Sequence, residues 1–548
     1  MTDTDVLLLF PPVCFPQSPP LSTPILKAFL EKKGFKVKQK DLNIGFWEQF
    51  KKDENLKAIY NDIEKYLSEH AMKKNLSKDE AVFYLQLKCV NSFEEFKEKV
   101  LTEKISKFDF NYLKKKFGNT YNDFQQGKNE STLFYHDEHF VELSESQYTL
   151  SSKKLFKHCK SKTNKFKNYF QGILDKNLSE FNVPVVGFSL VGPNQVVPAL
   201  SFASLIKENF PETHITVGGP WCSLLFDVLP EKKELFDLVD SVVFFEGETA
   251  LAQIADRILK KKPLNGIPNI AFREGEKIIR NKILYDQDLN ELPAPNYDGL
   301  PLEKYQLKNF LRLQSSRGCF WGKCIFCAYT FLEPKYRERK IELVIEDIKK
   351  LKEKYNVEWI IFVDSSMSPS RLEKLAKALI QSKINIKYSC LVRLDKEIIP
   401  ILKLLKQSGC AMLEFGLESA STRMLKVLDK GILPEKAREI LKESKKAGIS
   451  NKLFLMYGLP TETIEDMQDT LNFAKQNKDS VDFFGPSKFM LEKKSKAAEI
   501  KEQLGIKVKE DFVNDLDLGY NFELGTVTKE ELKKAKKEFD KLLVGAGK

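Results

Sequence analysis

The hydrophobic pattern near the start of the chain predicts a β-α-β unit. Residues Val6–Phe10 form a continuous apolar run, which is typical of a strand buried on both faces of a parallel sheet. A proline-rich loop follows, and then Ser22–Lys33 shows helical spacing of apolar residues up to a stop at Gly34. The alternating residues 35–41 predict a second strand, which completes the unit.

A helical pattern then interrupts this rhythm. Between residues 46 and 182, apolar positions recur at intervals of three and four, which indicates a helical insert. The rhythm resumes with predicted strands at 183–190, 213–217 and 238–245 and with helices over 199–209 and 249–261. We therefore expect residues 1–262 to form one doubly wound α/β domain, with its core in residues 5–45 and 183–262.

A second series of strands and helices follows a connector at residues 263–305, which is punctuated by proline and asparagine. Within residues 306–500, strands are predicted at 312–315, 359–363, 386–392, 412–417, 450–456 and 481–487. A helix is predicted after most of them, so this region is expected to be a complete or partial TIM-type βα barrel, with function at the carboxyl ends of its strands. Residues 501–548 are expected to be a short, charged and mostly helical tail.

Composition excludes several classes of protein. Of the 548 residues, 42% are hydrophobic and 30% charged, which excludes a wholly disordered chain. No apolar run approaches the ~18 residues of a membrane helix, and the acidic start of the sequence differs from a secretion signal. A cytoplasmic protein without membrane association is expected.

Charge is only mildly unbalanced, since 88 basic and 77 acidic residues leave +11. This balance does not favour nucleic-acid binding. One local exception is the run of lysines from Lys153 to Lys167, which we interpret as a solvated helical face or as a contact for an anionic ligand.

Three of the nine cysteines are close together, namely Cys319, Cys324 and Cys327. They follow the first predicted barrel strand, and three soft thiolates on one loop can hold a metal centre. A structural zinc site needs four ligands, whereas all five histidines precede residue 220. An iron–sulfur cluster with three cysteines keeps one iron open. The loop therefore favours an iron–sulfur cluster, and zinc or unliganded cysteines are the alternatives.

The cysteine loop and the strand ends that follow it resemble the radical S-adenosylmethionine (SAM) superfamily. The resemblance implies a [4Fe-4S] cluster whose open iron binds SAM, which is cleaved to methionine and a 5′-deoxyadenosyl radical. It also implies SAM contacts at these matching positions: Phe326, Arg393, Glu418, Ser419, Lys430, Gly458 and Pro460. In one respect the sequence departs from the commonest pattern, since four residues instead of three separate the first two cysteines.

The first domain resembles the cobalamin-binding domain that precedes the barrel in many radical SAM enzymes. Ligands of doubly wound (Rossmann-like) domains bind at the carboxyl ends of the strands. The resemblance implies cobalamin contacts at the following residues: Pro11, Pro12, Ser189, Asn194, Gln195, Gly218, Gly219, Glu246 and Gly247. No Asp-x-His-x-x-Gly motif is present, so His214 is expected to be structural and not a cobalt ligand. The alternatives are a domain that only docks on the barrel and, less favoured, a nucleotide-binding domain, since Gly-x-Gly-x-x-Gly is missing after the first strand.

Together these resemblances imply a cobalamin-dependent radical SAM enzyme that methylates an unactivated carbon or a phosphorus centre. Its expected partners are a small-molecule or peptide substrate and a flavodoxin- or ferredoxin-type electron donor. Residues 483–487 and 489–491 are expected to line the substrate space, and no acid–base catalyst is evident there. Three alternatives stay open: a cobalamin radical SAM cyclase or rearrangement enzyme without methyl transfer, an RNA methylthiotransferase-like enzyme, and a non-enzymatic iron–sulfur or cobalamin carrier.

Overall fold

The computed structural model describes residues 3–50, 146–162, 164–285, 287–509 and 514–545. Most of the predicted insert, residues 51–145, therefore lies outside the described residues. None of the helices within the described ranges has the length and the hydropathy needed to cross a lipid bilayer.

The first half of the chain alternates strands with helices, as predicted. In chain order its elements are β1 (Val6–Phe10), α1 (Ser22–Lys32), β2 (Val37–Asp41), α2 (Leu42–Phe50), α3 (Ser152–Lys160), α4 (Lys165–Phe181), β3 (Val185–Ser189), α5 (Val196–Asn209), β4 (His214–Gly218), α6 (Pro220–Leu224), β5 (Ser241–Val243), α7 (Glu248–Leu259), β6 (Ile270–Glu274) and β7 (Lys277–Arg280). Short 3₁₀ turns lie at Ser146–Leu150, Pro193–Gln195, Leu229–Glu231 and Lys233–Asp237.

The first sheet confirms the doubly wound prediction. Its strand order is β2-β1-β3-β4-β5-β6-β7, and the first five strands are parallel. Strand β1 is buried along its whole length, with Leu7 and Leu9 in the core on one face and Val6 and Leu8 in the core on the other. Strand order reverses between β1 and β3, which creates the crevice where doubly wound domains bind ligands.

A hairpin extends this sheet beyond the predicted boundary at residue 262. Strands β6 and β7 pair antiparallel with β5 and with each other, although sequence analysis places them in the connector. Sequence analysis missed this hairpin because β7 is an edge strand whose four residues are half-buried or exposed. Such a strand lacks the apolar run from which the other strands are predicted.

The second half contains the barrel strands and their helices. Its elements are β8 (Phe310–Leu313), β9 (Ser316–Arg317), α8 (Tyr329–Leu332), β10 (Arg337–Glu338), α9 (Ile341–Tyr355), β11 (Trp359–Phe362), α10 (Pro369–Gln381), β12 (Lys387–Val392), α11 (Leu402–Gln407), β13 (Cys410–Glu418), α12 (Thr422–Val427), α13 (Pro434–Lys446), β14 (Ser450–Tyr457), α14 (Ile464–Gln476), β15 (Phe483–Lys488), β16 (Leu491–Glu492), α15 (Lys496–Glu499), β17 (Lys507–Val508), β18 (Gly519–Tyr520), β19 (Phe522–Glu523) and α16 (Lys529–Gly545). Short 3₁₀ turns lie at Leu289–Glu291, Leu302–Lys304 and Lys396–Ile401.

Six parallel strands form the second sheet in the order β15-β14-β13-β12-β11-β8. This order follows the chain, as in a βα barrel, and within the described residues β8 and β15 do not pair, so the barrel is partial. One apolar core lies between the outer face of this sheet and its helices. Because the six strands are parallel, their carboxyl ends all lie at one edge of the sheet. This is the edge where sequence analysis predicts the functional site.

The residues predicted to be a separate tail are part of both domains. In α16, Phe539 is fully buried, and its ring stacks on that of Tyr457 in β14 with centroids 5.0 Å apart. Further upstream, Leu516 lies in the apolar core of the first domain, and Asp515 accepts a hydrogen bond from the backbone N–H of Ser152 at 2.9 Å. Residues 514–545 therefore stabilise both domains and the contact between them.

The contact of α16 with the barrel can be tested by mutation of Phe539. We expect Phe539→Ala to lower the free energy of unfolding by about 3–5 kcal/mol, because it removes a fully buried aromatic side chain. Denaturant unfolding measures the change. The matched control on the same helix is Lys536→Ala, whose exposed side chain should contribute within about 0.5 kcal/mol. Equal stability of the two variants would show that α16 is a loose tail.

Candidate active site

The loop that carries the three cysteines starts and ends at a short β-ladder. Strands β9 and β10 pair antiparallel and enclose residues 318–336. Asp364, at the carboxyl end of β11, accepts hydrogen bonds from the backbone N–H of Ser315 at 3.1 Å and from the hydroxyl of Ser316 at 2.5 Å. Because Asp364 is buried, these bonds attach the start of the loop to the rigid sheet.

The three cysteines lie together on this loop and are each partly exposed. Burial raises the pKa of the Cys327 thiol to about 12, and it also raises the pKa of Cys324, where the nearby cations of Lys430 and Arg393 oppose the effect. Such thiols are protonated at neutral pH unless a metal holds them as thiolates. Among the residues that the structure describes, no three His, Cys, Asp or Glu side chains converge on one point where a single ion could bind.

Four of the predicted SAM residues meet beside Cys324. The amine of Lys430 donates to the Glu418 carboxylate at 2.9 Å, and the Lys430 carbonyl accepts from the Arg393 guanidinium at 2.6 Å. The same amine lies 5.4 Å from the centroid of the Phe326 ring. Burial alone would lower the pKa of Lys430, but the adjacent Glu418 carboxylate outweighs it, so the pKa is raised and the amine is charged.

Backbone geometry brings Glu418 to this position. The register of β13 shifts between Gly416 and Glu418, and Glu418 has a φ of 69°, in the left-handed region. The strand therefore turns sharply at its carboxyl end. This turn places the carboxylate against Lys430, at the end of the loop that follows α12.

The other predicted SAM residues form two tight turns. Ser419 is fully buried, and its hydroxyl lies 3.1 Å from that of Thr470 and accepts from the backbone N–H of Ser421 at 3.2 Å. It therefore stabilises the turn after β13. Gly458 and the buried Pro460 belong to the turn after β14, where the Gly458 N–H donates to Glu462 at 2.6 Å.

Glu462 is the most strongly perturbed carboxyl group of this edge. It is fully buried, and burial raises its pKa to about 8, although the backbone N–H groups of Gly458 and Leu459 stabilise the anion. Its second carboxylate oxygen has no hydrogen-bond partner within the described part of the chain. The protonated form is thus favoured at neutral pH and below.

Trp321 is a site residue that sequence analysis did not identify. It lies in the longer stretch between the first two cysteines, and its indole N–H donates to the carbonyl of Asp429 at 2.9 Å. The guanidinium carbon of Arg393 is 4.0 Å from the ring centroid, a cation–π contact. A Cβ at Gly431 would lie 2.5 Å from the ring, so a larger residue at this position would displace the indole. Trp321 therefore connects the cysteine loop to the turn that carries Lys430.

At the carboxyl edge of the first domain, hydrogen bonds join the loops that carry several predicted cobalamin residues. The Gln195 amide donates to the Pro11 carbonyl at 2.7 Å, and the backbone N–H of Val13, next to Pro12, donates to the Asn194 carbonyl at 3.3 Å. The hydroxyl of Ser189 bonds to that of another residue, Ser22, at 2.8 Å. These bonds fix the loops after β1 and β3 relative to each other, at the crevice where strand order reverses.

The two glycines at the carboxyl end of β4 are packed closely against neighbouring residues of the first domain. Gly219 has a φ of 113°, and a Cβ on it would lie 2.3 Å from the Leu190 carbonyl oxygen. The neighbouring Gly218 is packed less tightly, since a Cβ on it would lie 3.2 Å from Val243. The close approach is therefore to neighbouring backbone, and the ligand contact predicted for these glycines remains a prediction.

Trp221 follows these glycines and is 1% exposed. Its indole N–H has no hydrogen-bond partner among the described residues.

Glu246 and Gly247 lie where the first domain meets the barrel. Gly247 precedes the first residue of α7, and the Glu246 carboxylate is paired with Arg317 at 3.0 Å and also with Arg337. Both arginines belong to the ladder at the base of the cysteine loop. Glu246 thus contacts the barrel, a role that its position after β5 did not indicate.

Other residues singled out from the sequence have structural surroundings. His214 is buried, bonds to the Ser241 hydroxyl at 2.9 Å, and burial lowers its pKa to about 4, as expected for a structural histidine. In β15, Phe484 lies in the core beneath the helices, so only alternate residues of 483–487 face the barrel interior.

The lysine run is partly paired. Lys160 lies 3.0 Å from the Asp237 carboxylate, and Lys167 lies 2.6 Å from that of Glu208. Both pairs connect α3 and α4 to neighbouring elements of the first domain. These two lysines therefore already have anionic partners within the chain, and both interpretations of the lysine run remain predictions.

The contact between Trp321 and Gly431 gives a prediction with a matched control. Gly431 and Gly505 have φ values of 65° and 62°, but a Cβ on Gly505 would meet nothing within 4 Å. Both Gly→Ala variants should lose about 1 kcal/mol of unfolding free energy to left-handed strain. We expect only Gly431→Ala to lose more and to change the near-UV circular dichroism, because it displaces Trp321. Identical behaviour of the two variants would contradict the contact.

Glu462 gives a prediction of pH dependence. Its pKa is raised from about 4.5 unfolded to about 8 folded, so its contribution to stability is complete below about pH 4.5 and is lost as pH rises through about 8. The slope approaches about 1.4 kcal/mol per pH unit. The glutamine of Glu462→Gln cannot ionise. Between about pH 5 and about pH 8, the unfolding free energy of this variant should therefore fall less than that of the wild-type protein. Glu465→Gln, three residues away and exposed, is the control and should retain the wild-type slope. Loss of the slope in this control would show that Glu462 does not cause the pH dependence.

Part of the chain matches a known protein family. Residues 313–474 match the model of the Radical SAM superfamily. The chain is 28% identical over 308 residues to an uncharacterized methyltransferase of Pyrococcus horikoshii, covering 55% of this chain and 66% of that one. It is 27% identical over 288 residues to the hopanoid C-3 methylase of Methylococcus capsulatus, covering 50% and 53%. The chain thus matches about half to two thirds of the length of these relatives.

Solved structures extend the likeness to nearly the whole chain. The cobalamin-dependent S-adenosylmethionine radical enzyme OxsB, with aqua-cobalamin and S-adenosylmethionine bound, superposes with a TM-score of 0.61 at 13% identity, covering 97% of this chain and 65% of that one. The radical S-adenosylmethionine methyltransferase TsrM of Kitasatospora setae, with cobalamin and a [4Fe-4S] cluster bound, gives a TM-score of 0.60 at 14% identity, covering 98% and 88%. The chain therefore carries a radical SAM domain, set in a two-domain fold that it shares with cobalamin-dependent enzymes of that superfamily.

Proposed function

We propose that this chain is a cobalamin-dependent radical SAM enzyme that methylates an unactivated carbon or a phosphorus centre of a small-molecule or peptide substrate. One observation carries the proposal. Three cysteines lie on a single loop at the carboxyl edge of the barrel, beside buried Lys430, Arg393 and Glu418. The carboxyl edge of a doubly wound domain contacts the base of the same loop.

The donor set fits an iron–sulfur cluster. Three thiols from Cys319, Cys324 and Cys327 are soft ligands, and one loop can supply all of them. Cluster binding would stabilise the thiolate forms of Cys324 and Cys327, which burial disfavours in the free protein. When bound, such a cluster supplies one-electron reduction of SAM at its open iron.

The charges beside Cys324 fit the polar end of SAM, which has a carboxylate and an ammonium group. Arg393 and Lys430 provide cations, and Glu418 provides an anion. All three are less than a tenth exposed, so their electrostatic interactions are weakly screened. Phe326 and the turn at Gly458 offer apolar and backbone contacts for the remainder of the molecule. These residues would bind and orient SAM and exclude water.

The first domain offers a site of the type that cobalamin needs. Its carboxyl edge has the reversal of strand order between β1 and β3, and the buried indole N–H of Trp221 at this edge lacks a partner in the described ranges. A bound ligand that accepts a hydrogen bond would satisfy this group. With a methyl group bound to cobalt, cobalamin supplies that methyl group for transfer. The proposal gives His214, which lies on the body of β4 and is bonded to Ser241, a structural role and not that of a cobalt ligand.

The reaction also needs an electron donor and a reducing environment. We infer a flavodoxin- or ferredoxin-type partner, because each reductive cleavage of SAM consumes one electron, which must be delivered from outside the site. The cytoplasm suits such a protein, since all the cysteines of the described residues are free thiols and a cluster requires them reduced.

Metal and cofactor quantitation tests the proposal. The protein is purified anaerobically and reconstituted with iron, sulfide and hydroxocobalamin, in parallel with a variant in which Cys319, Cys324 and Cys327 are replaced by alanine. We expect about four irons and about one cobalamin per wild-type chain, with iron lost and cobalamin retained in the variant. The Cys410→Ala variant is the control, because this buried cysteine begins β13, at the end of the sheet opposite to the loop.

Three outcomes separate the alternatives. A cluster without cobalamin would contradict the methyltransferase proposal and leave a first domain that only docks on the barrel. Binding of both groups without SAM cleavage under a reductant would indicate a carrier. Formation of 5′-deoxyadenosine without S-adenosylhomocysteine during substrate turnover would indicate a cyclase or rearrangement enzyme.

A further inference from the structure

Two arginines face each other at the base of the cysteine loop. In the ladder of β9 and β10, Arg317 is the direct cross-strand partner of Arg337. Like charges in this position repel and destabilise a strand pair. The ladder is also very short, with two residues per strand, so its own hydrogen bonds stabilise it little. Nearby anions would offset this repulsion and favour closure of the loop base.

The first domain supplies these anions. Arg317 lies 3.0 Å from the Glu246 carboxylate and forms a close ion pair with Glu248. Arg337 forms a close ion pair with Glu246, which thus lies between the two arginines. The side chains of Arg317, Glu246 and Glu248 are 9%, 10% and 4% exposed, so water contributes little to the stability of these charges.

The connector adds a third side to this arrangement. The Glu246 carboxylate accepts the backbone N–H of Gln287 at 3.1 Å, and the Gln287 carbonyl accepts from Arg337 at 2.8 Å. Glu246 follows β5 and Glu248 begins α7, so both are held by the sheet of the first domain. The network therefore joins three parts of the chain that are far apart in sequence.

We infer that Glu246 and Glu248 are positioning residues for the cysteine loop, although they belong to the other domain. Their charges hold Arg317 and Arg337 together and close the ladder, and the closed ladder keeps Cys319, Cys324 and Cys327 in one arrangement. The part of this inference that concerns the cluster rests on the proposed function. The part that concerns the loop conformation does not.

The test uses Glu248→Gln and Glu246→Gln in the full chain, with the exposed Glu234→Gln of the same domain as control. The first readout is trypsin cleavage of cluster-free protein at Lys323 and Lys335, two exposed lysines inside the loop. Each amide keeps the size of the side chain but removes the charge, and leaves a buried arginine short of an anion. We expect loop cleavage about tenfold faster or more in Glu248→Gln, with a smaller increase in Glu246→Gln.

The second readout is the half-life of the reconstituted cluster in the presence of an iron chelator. We expect a loss about tenfold faster in Glu248→Gln, with cobalamin binding and the global unfolding temperature close to those of the control. A shift in global unfolding equal to the local effect would instead make the network a general stabiliser and overturn the inference. The double variant Glu248→Gln/Arg317→Met, which removes both partners, should restore slow cleavage.

The two readouts separate failure of this inference from failure of the proposed function. If the wild-type protein takes up no cluster, the proposed function fails, while trypsin cleavage still tests the loop. If the cluster forms but both glutamine variants behave like Glu234→Gln in both readouts, the positioning role is refuted and the proposed function stands.

Discussion

Parallel strand pairing determines where the chemistry of this molecule can occur. Every strand of a parallel sheet ends at the same edge, so the residues that follow the strands meet there even when they are far apart in sequence. Both sheets of this chain obey that constraint, and their carboxyl edges meet at the cysteine loop. Residues from β5, β8, β12 and β13 thus reach one region without any long excursion of the chain.

The charged groups of this region are buried, which imposes a second constraint. A buried ion is tolerated only with a partner, and here Lys430 has Glu418, Arg317 has Glu248, and Arg393 bonds to the Lys430 carbonyl. Such pairs are rigid because any displacement exposes an uncompensated charge. A rigid polar frame around a loop of thiols suits a site that must orient reactants rather than exchange protons with them.

Much of the fold could be predicted because strand positions depend on local apolar runs. All six barrel strands were predicted to within a few residues, and so was the edge where the residues predicted to contact SAM lie together. The hairpin at β6 and β7 was missed, since β7 is a half-exposed edge strand without an apolar run. The role of Glu246 was missed for another reason. Its position after β5 predicts a ligand contact, whereas its pairing with Arg317 depends on how two domains pack, which no local pattern contains. The only sequence signal for a role of Trp321 in the site is its position, since it is an aromatic residue within the four-residue stretch between Cys319 and Cys324.

The packing of residues 514–545 has a consequence for biosynthesis. Leu516 completes the core of the first domain, and Phe539 covers β14 of the second, yet both are translated after the two domains that they complete. The domains of a nascent chain start to fold in the order of synthesis. Until the ribosome has released this segment, the first domain lacks a core residue and the barrel has an uncovered apolar strand. The apolar core of the barrel is therefore complete only after this segment has been synthesised.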